Sequence, residues 1–312
     1  MALPVVIKNS RERLNNLYFD IKAGLKPRLS WLAIPFGVVF LIYFLIPLVL
    51  TLIVSFWDYN DYSILPDFIL DNYSYIFSGC FSLENGLCLT FKTYLSTFYF
   101  CLMTWVFTLV IGFSVAYFLA FYVNSLPLQI GLFLVCTIPF WTSNVIRMVS
   151  WIPLLGRNGL VNDILLQLGL VETPIEWLLY SSFSVLLALV HLYTLFMIVP
   201  IFNSMMRIDK SIVEAAYDAG ASELQILWNI IIPLCKPGIV IGSIFVVTVV
   251  MGDFVTIGIM GGQQIASIGK IINTEMNYLQ LPGAAANAVI LLVITILIVI
   301  SMTKFIDIRK EL

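Results

Sequence analysis

Hydrophobic residues fall along this chain in long unbroken stretches, without the alternation of a half-buried strand or the single stripe of an amphipathic helix. A bilayer-spanning helix needs about 20 mostly apolar residues. Six stretches meet that need, at 31–56, 94–121, 130–146, 177–202, 238–260 and 286–305. Their interiors are almost free of charge. Trp31, Trp57, Tyr94, Tyr122, Trp151 and Trp177 edge most of them, as interfacial anchors do. The stretch 130–146 is the most interrupted, because Pro127, Pro139 and Pro153 punctuate it. The first stretch is far longer than the apolar part of a cleaved signal peptide and lacks a small-x-small site. The pattern predicts an all-α polytopic membrane protein with about six transmembrane helices.

Composition supports this and removes other classes. The chain has 312 residues, 61% hydrophobic and 11% charged, with a mean hydropathy of +1.00. A soluble domain has roughly 45–50% apolar and about 25% charged residues. A compact chain of this size cannot bury so much apolar surface and still present a polar exterior. The net charge is -2 and there is no basic block, which argues against nucleic acid as a partner. Five scattered cysteines and one histidine form no C-x-x-C pair and no paired-histidine spacing, so no metal or haem site is expected. No P-loop is present either, so no ATP cradle and no catalytic residue is expected in this chain.

Orientation follows from Lys and Arg. With both termini in the cytoplasm, twelve basic residues face inward: Lys8, Arg11, Arg13, Lys22, Lys26, Arg28, Arg207, Lys210, Lys236, Lys304, Arg309 and Lys310. Four face outward, namely Lys92, Arg147, Arg157 and Lys270. The expected organisation is a cytoplasmic segment at 1–30, a membrane domain at 31–306 with a cytoplasmic loop at 203–237, and a tail at 307–312. Leu14, Leu17, Tyr18 and Ile21 among basic residues suit the first segment to an amphipathic elbow on the inner bilayer surface. The first outer loop holds Asp58, Asp61, Asp67, Asp71 and Glu84. Its acidity reads most simply as a translocated loop that lacks Lys and Arg. Cys80 and Cys88 share that loop, where an oxidising compartment permits a disulfide, and free thiols are the alternative.

The loop at 203–236 is the longest cytoplasmic connection between spans. Ser211 and Glu214 have the spacing of a capping box, as do Ser222 and Gln225. Gly220 suits a left-handed C-cap. Pro233 and Pro237 are expected to break the chain before the fifth span. Two short helices joined at Gly220 result, and the first, alanine-rich one can approach another surface closely. It serves either as a bilayer-surface helix or as a docking element for a soluble partner.

Glu214-Ala215-Ala216, then Gly220 after three residues, then Ile230 and Pro233, resembles the EAA motif of ABC-importer permeases. Ile232 stands where that family usually has Leu. Further runs resemble its spermidine/putrescine branch: Pro139 to Ser143 with Arg147 and Trp151, Gly156 to Asn162, Gly252 to Thr256, and Pro282 to Ala285. The resemblance implies a type I ABC-importer permease fold in a bacterial inner membrane. It also implies a second permease subunit, usually a different chain, and a periplasmic solute-binding protein. Two cytoplasmic ATPase subunits would bind ATP and Mg, each receiving one EAA helix. Glu214, Ala215, Ala216, Asp218, Ala219, Gly220, Ile230 and Pro233 would then form the coupling element.

Asp253 is the only acidic residue inside a predicted span, which makes it a functional candidate. It can meet a polyamine ammonium, a gating partner such as Arg147, or a purely structural partner. Trp141, Thr142 and Ser143 cluster at the outer end of the third span, either along a solute pathway or as interfacial anchors. His191 is read as a residue hydrogen-bonded between helices. Other solutes of related importers (other amines, iron, oxyanions) are the alternative function. An ion-coupled secondary transporter would need paired broken helices in two repeats and more intramembrane carboxylates.

Overall fold

The structure is a computed structural model that describes residues 34–60, 63–78, 80 and 88–304. The expected elbow at 1–30 and tail at 307–312 lie outside the described residues. The chain divides into two units, Met1–Val54 and Ser55–Leu312.

In the first unit, α1 (Ile34–Val54) contains a π turn at Leu41–Leu45. Its side chains are apolar and exposed over nearly its whole length, which suits them to lipid.

The second unit opens with a two-residue antiparallel ladder, β1 (Asp58–Tyr59) against β2 (Ile64–Leu65), and the short α2 (Asp71–Ile76). Asn72 ties α2 back to the chain by donating to the carbonyls of Ser55 and Trp57 at 3.1 and 2.8 Å. Cys80 and Cys88 are joined by a disulfide, and Cys88 caps the helix that follows. That helix is α3 (Leu89–Tyr122), which ends in a π turn at Phe118–Tyr122. After α4 (Leu126–Thr137), a 3-10 turn (Ile138–Trp141), α5 (Asn144–Leu155) and α6 (Leu160–Gln167) comes the long α7 (Ser182–Met205). The exposed α8 (Lys210–Asp218) precedes α9 (Glu223–Met251), and α10 (Val255–Met260), α11 (Ile268–Asn277) and α12 (Leu281–Lys304) complete the unit.

Among the described residues five helices, α1, α3, α7, α9 and α12, are long and apolar enough to cross a membrane. The expected span at 130–146 is not one straight helix. Leu126–Trp141 and Asn144–Gln167 meet at a 90° bend, giving a sixth crossing only if the bent pair counts as one. Pro139 lacks an amide donor, and Thr142 and Ser143 are extended, so the helical ladder stops there.

The expected fifth span at 238–260 also needs correction at both ends. Pro233 and Pro237 do not break the chain, because α9 runs through both from Glu223. A π turn at Leu227–Ile231 directly precedes Pro233, and its extra residue relieves the clash between the proline ring and the preceding turn. At the other end the helix stops at Gly252, and residues 255–260 form the separate α10. Trp177, expected inside the fourth span, lies before it.

The core sits where α3, α7 and α9 pack together. Phe100, Leu189, Met197, Ile201 and Met251 are buried there almost completely. Close approach of α9 to α7 depends on Gly238, where an added Cβ would lie 2.5 Å from the carbonyl oxygen of Pro200. Small polar groups join the helices: Trp105 Nε1 donates to Ser243 Oγ at 2.8 Å, and Ser184 Oγ donates to the Met260 carbonyl at 3.0 Å. Lipid tails offer no hydrophobic drive between helices, so such contacts and small residues supply the association.

Candidate coupling helix and intramembrane polar cluster

The loop between α7 and α9 is built around α8. Its N-cap is Asp209, whose carboxylate accepts from the Ser211 amide at 3.0 Å. The capping box expected from Ser211 and Glu214 does not form, because the helix starts two residues too early for it. Hydrogen bonding from the Ser211 backbone and side chain holds the Asp209 carboxyl below its ordinary range. Glu214 is therefore free of a capping role and stands exposed.

The end of α8 is a Schellman motif. Ala221 N donates to Ala216 O at 3.0 Å and Gly220 N to Tyr217 O at 2.8 Å, with Gly220 at φ +83°. The second helix begins with the expected box, Ser222 and Gln225 each accepting from the other's amide. Ala215, Asp218 and Ala219 are exposed, but Ala216 is turned toward the body of the protein beside Val213. Ala216 is thus half-buried against the body of the protein. Ile230 lies in the π turn of α9, partly buried, and Pro233 is exposed one turn later.

At the far end of α9, Asp253 sits in the break before α10. Its Oδ1 accepts from the Thr256 amide at 2.9 Å, and its Oδ2 accepts from the Thr256 and Tyr193 hydroxyls, each at 2.6 Å. The carboxylate therefore caps α10 and ties it to α7. Tyr193 is the residue that sequence reasoning missed here. No periodicity links positions 193 and 253, and only the packing of α10 on α7 brings them together.

Arg147 is 9% exposed on α5, which packs beside α10. It donates to Asn144 Oδ1, while its Nε has no partner. It is not ion-paired with Asp253. Among the described residues the one ion pair joins exposed Arg157 and Glu176. Trp151 Nε1 donates to His191 Nδ1 at 3.1 Å, so the histidine bonds between α5 and α7 as expected. A cavity of about 410 Å³ lies at the bend, lined by Arg147, Trp151, His191 and apolar residues of α3 and α7. Trp141, Thr142 and Ser143 do not join Asp253. They are exposed at the bend, with Trp141 at 73% and the Thr142 hydroxyl bonded to the Pro139 carbonyl.

No family model matches the chain. It is 33% identical over 230 residues to the spermidine/putrescine transport system permease protein PotB of Escherichia coli, covering 73% of this chain and 78% of that protein. The chain belongs to the family of ABC-transporter permease subunits. A second member, the inner membrane ABC transporter permease protein YdcU of Escherichia coli, is 23% identical over 74% of this permease and 75% of its own length. Among solved structures, a bacterial ABC transporter involved in the import of alginate aligns with a TM-score of 0.66 and 17% identity, covering 93% of this permease and 98% of that chain. The same type of transporter in complex with its oligosaccharide-bound periplasmic protein gives a TM-score of 0.68 at 17% identity, over 92% and 96%. These two establish the fold.

One further polar pair in the permease escaped the sequence. Glu275 on α11 receives both its hydrogen bonds from the Asn287 amide on α12, at 3.1 and 3.0 Å. Burial raises its carboxyl above the ordinary range, and the Asn287 amide partly offsets that. The segment 268–277 lies outside every apolar stretch, so nothing in the hydropathy marked Glu275 as half-buried.

Proposed function

We propose that this permease forms the translocation pathway of an ATP-driven importer for polyamines of the spermidine/putrescine class, in a bacterial inner membrane with both termini cytoplasmic. The observation that carries the reading is the 33% identity over 230 residues to a spermidine/putrescine permease, with the coupling loop intact. The chain is a non-catalytic subunit in this reading. A cytoplasmic ATPase dimer holds ATP and Mg and receives α8, a second permease completes the pathway, and a periplasmic binding protein delivers the solute.

The geometry supports a mechanical route. The helix α9 runs without a gap from the Ser222 cap to the break at Asp253, a rod of about 40 Å at the usual helical rise. Its lower end is joined to α8 through the Gly220 turn, and its upper end is latched to α7 by Tyr193. Displacement of α8 by ATPase closure therefore moves α9 as a rigid body and loads the latch. Ala215, Asp218, Ala219 and Glu214 present the docking face, while Ile230 and Pro233 belong to the rod itself. Arg147, in the cavity at the bend, and Asp253, at the break before α10, lie where a change between inward-open and outward-open states would be felt. Trp141, Thr142 and Ser143 remain candidates for the surface that faces the second permease or the solute.

Reconstitution with the ATPase, the second permease and the binding protein tests the reading. Uptake of labelled spermidine or putrescine is expected, strictly dependent on ATP. Uptake sustained by an ion gradient without ATP would refute it, and ATP-dependent uptake of only iron or an oxyanion would replace the substrate class.

A further inference from the structure

The two π turns at the loop end of the permease face one cavity. That cavity, of about 310 Å³, lies between α8 and the ends of α3 and α9. A π turn closes with one residue more than an α turn, so side chains five apart come back toward one side. The turn at Phe118–Tyr122 accordingly places Tyr117 and Tyr122 together on the cavity wall. Their rings meet edge to face with centroids 5.8 Å apart. The turn at Leu227–Ile231 brings Ile226 and Ile231, both almost fully buried, to the same lining. Both departures from α-helix thus build the same wall set, although they are more than a hundred residues apart.

The remaining lining is mixed: aromatic and acidic side chains stand beside Asn124, Val213 and one lysine. Tyr217 enters from α8, and Glu214 and Glu223 lie at the rim. Tyrosine faces attract cations through the ring quadrupole, and carboxylates do so by charge. Among the described residues neither glutamate is paired with a cation. Lys210 also lines the cavity, but it stands where a neighbouring cavity of about 220 Å³ opens as well. Three tyrosines, the Glu223 carboxylate and the half-buried Phe121 and Val213 suit an alkylammonium: the charged end among rings and carboxylate, the methylenes on Phe121 and Val213.

We infer that this cavity is a binding site for an alkylammonium ligand, a second amine site separate from the Asp253 cluster and placed against the coupling helix. An occupant touches α8, α3 and α9 at once, so it ties the coupling helix to the membrane domain. The cavity's chemistry rests on its own residues, whereas the choice of a diamine as the natural occupant rests on the polyamine reading above.

The test is equilibrium binding of radiolabelled 1,4-diaminobutane to the purified, assembled transporter without binding protein, in the parent and in an Asp253→Asn background. Tyr122→Leu and Glu223→Gln are each expected to weaken binding by about three- to tenfold, the worth of one ring or charge contact at a partly exposed site. Tyr122→Phe keeps the ring face and should bind within about twofold of the parent. Lys210→Ala removes a like charge and should tighten binding. Tyr122 and Glu223 are exposed, so monodisperse variants are expected and size-exclusion profiles verify it. Parent-like binding by Tyr122→Leu and Glu223→Gln together would overturn the site, as would a loss in Tyr122→Phe equal to that in Tyr122→Leu. If the pattern holds but the reconstituted transporter moves no amine, the transport reading fails and the site stands. Amine transport without the pattern removes the site alone.

Discussion

Tyr193 on α7 and Asp253 at the end of α9 share a 2.6 Å hydrogen bond across sixty positions of sequence. The bond converts a lone intramembrane carboxylate into a latch between two core helices. Asp253→Asn keeps the shape and an acceptor oxygen but removes the charge. Folded yield should fall less than ATP-dependent uptake, which is expected to drop by about tenfold, the equivalent of the low end of the roughly 1.5–3 kcal/mol a charge-assisted bond is worth. Tyr193→Phe should lower uptake in the same direction. Equal losses of folded protein and uptake in both variants would reduce Asp253 to a helix cap.

Gly220 has open space around it, since an added Cβ would meet nothing within 4 Å, yet its φ is +83°. A substitution there is opposed by backbone strain alone, about 1–2 kcal/mol. Gly220→Val should leave the membrane domain folded and disturb the turn between α8 and α9. ATP hydrolysis without uptake is the expected phenotype in the reconstituted transporter. Normal uptake by this variant would remove the coupling role.

At Gly238 the opposite holds, because space and not backbone angle is limiting. The Pro200 carbonyl and Ser204 Cβ would lie 2.5 and 2.6 Å from an added Cβ. Gly238→Ala should destabilise the fold by about 1–3 kcal/mol through overpacking, and Gly238→Leu should prevent α9 from seating on α7. Thermal unfolding in detergent reads the first, and yield of monodisperse protein reads the second. A tolerated leucine would show that α7 and α9 separate in the working protein.

Glu275 carries a pH signature. Its carboxyl is raised in the folded protein by burial, so the folded state holds the proton more tightly than the unfolded chain. The stability linked to it is fully present below the ordinary carboxylate range and is lost as pH rises through the raised folded value. Glu275→Gln should abolish that part of the pH dependence and raise the melting temperature at neutral pH. Melting curves from about pH 4 to about pH 8 decide it, and identical curves for parent and variant would mean that the carboxylate stays as solvated as in the unfolded chain.

The sequence by itself determined the class, most of the spans and the coupling turn. Long apolar stretches leave a chain no alternative to helices in lipid, where every backbone group must be satisfied within the segment. Local chemistry was enough for Gly220 and for the Ser222–Gln225 box, since each depends on neighbours within four residues. The tertiary structure decided whatever rests on distant neighbours. Proline rules predicted a broken chain at Pro233, but a π turn and the packing of α9 on α7 carry the helix through. The apolar stretch at 130–146 reads as one span punctuated by prolines, and only the fold shows that the extended pair after Pro139 turns it by 90°. The Asp209 cap displaced the expected Ser211 box by starting the helix two residues earlier. Asp253 was visible as a charge among apolar residues, yet its partner Tyr193 was not. A hydrogen bond between separate helices is set by how they cross, and no spacing along one chain records that crossing.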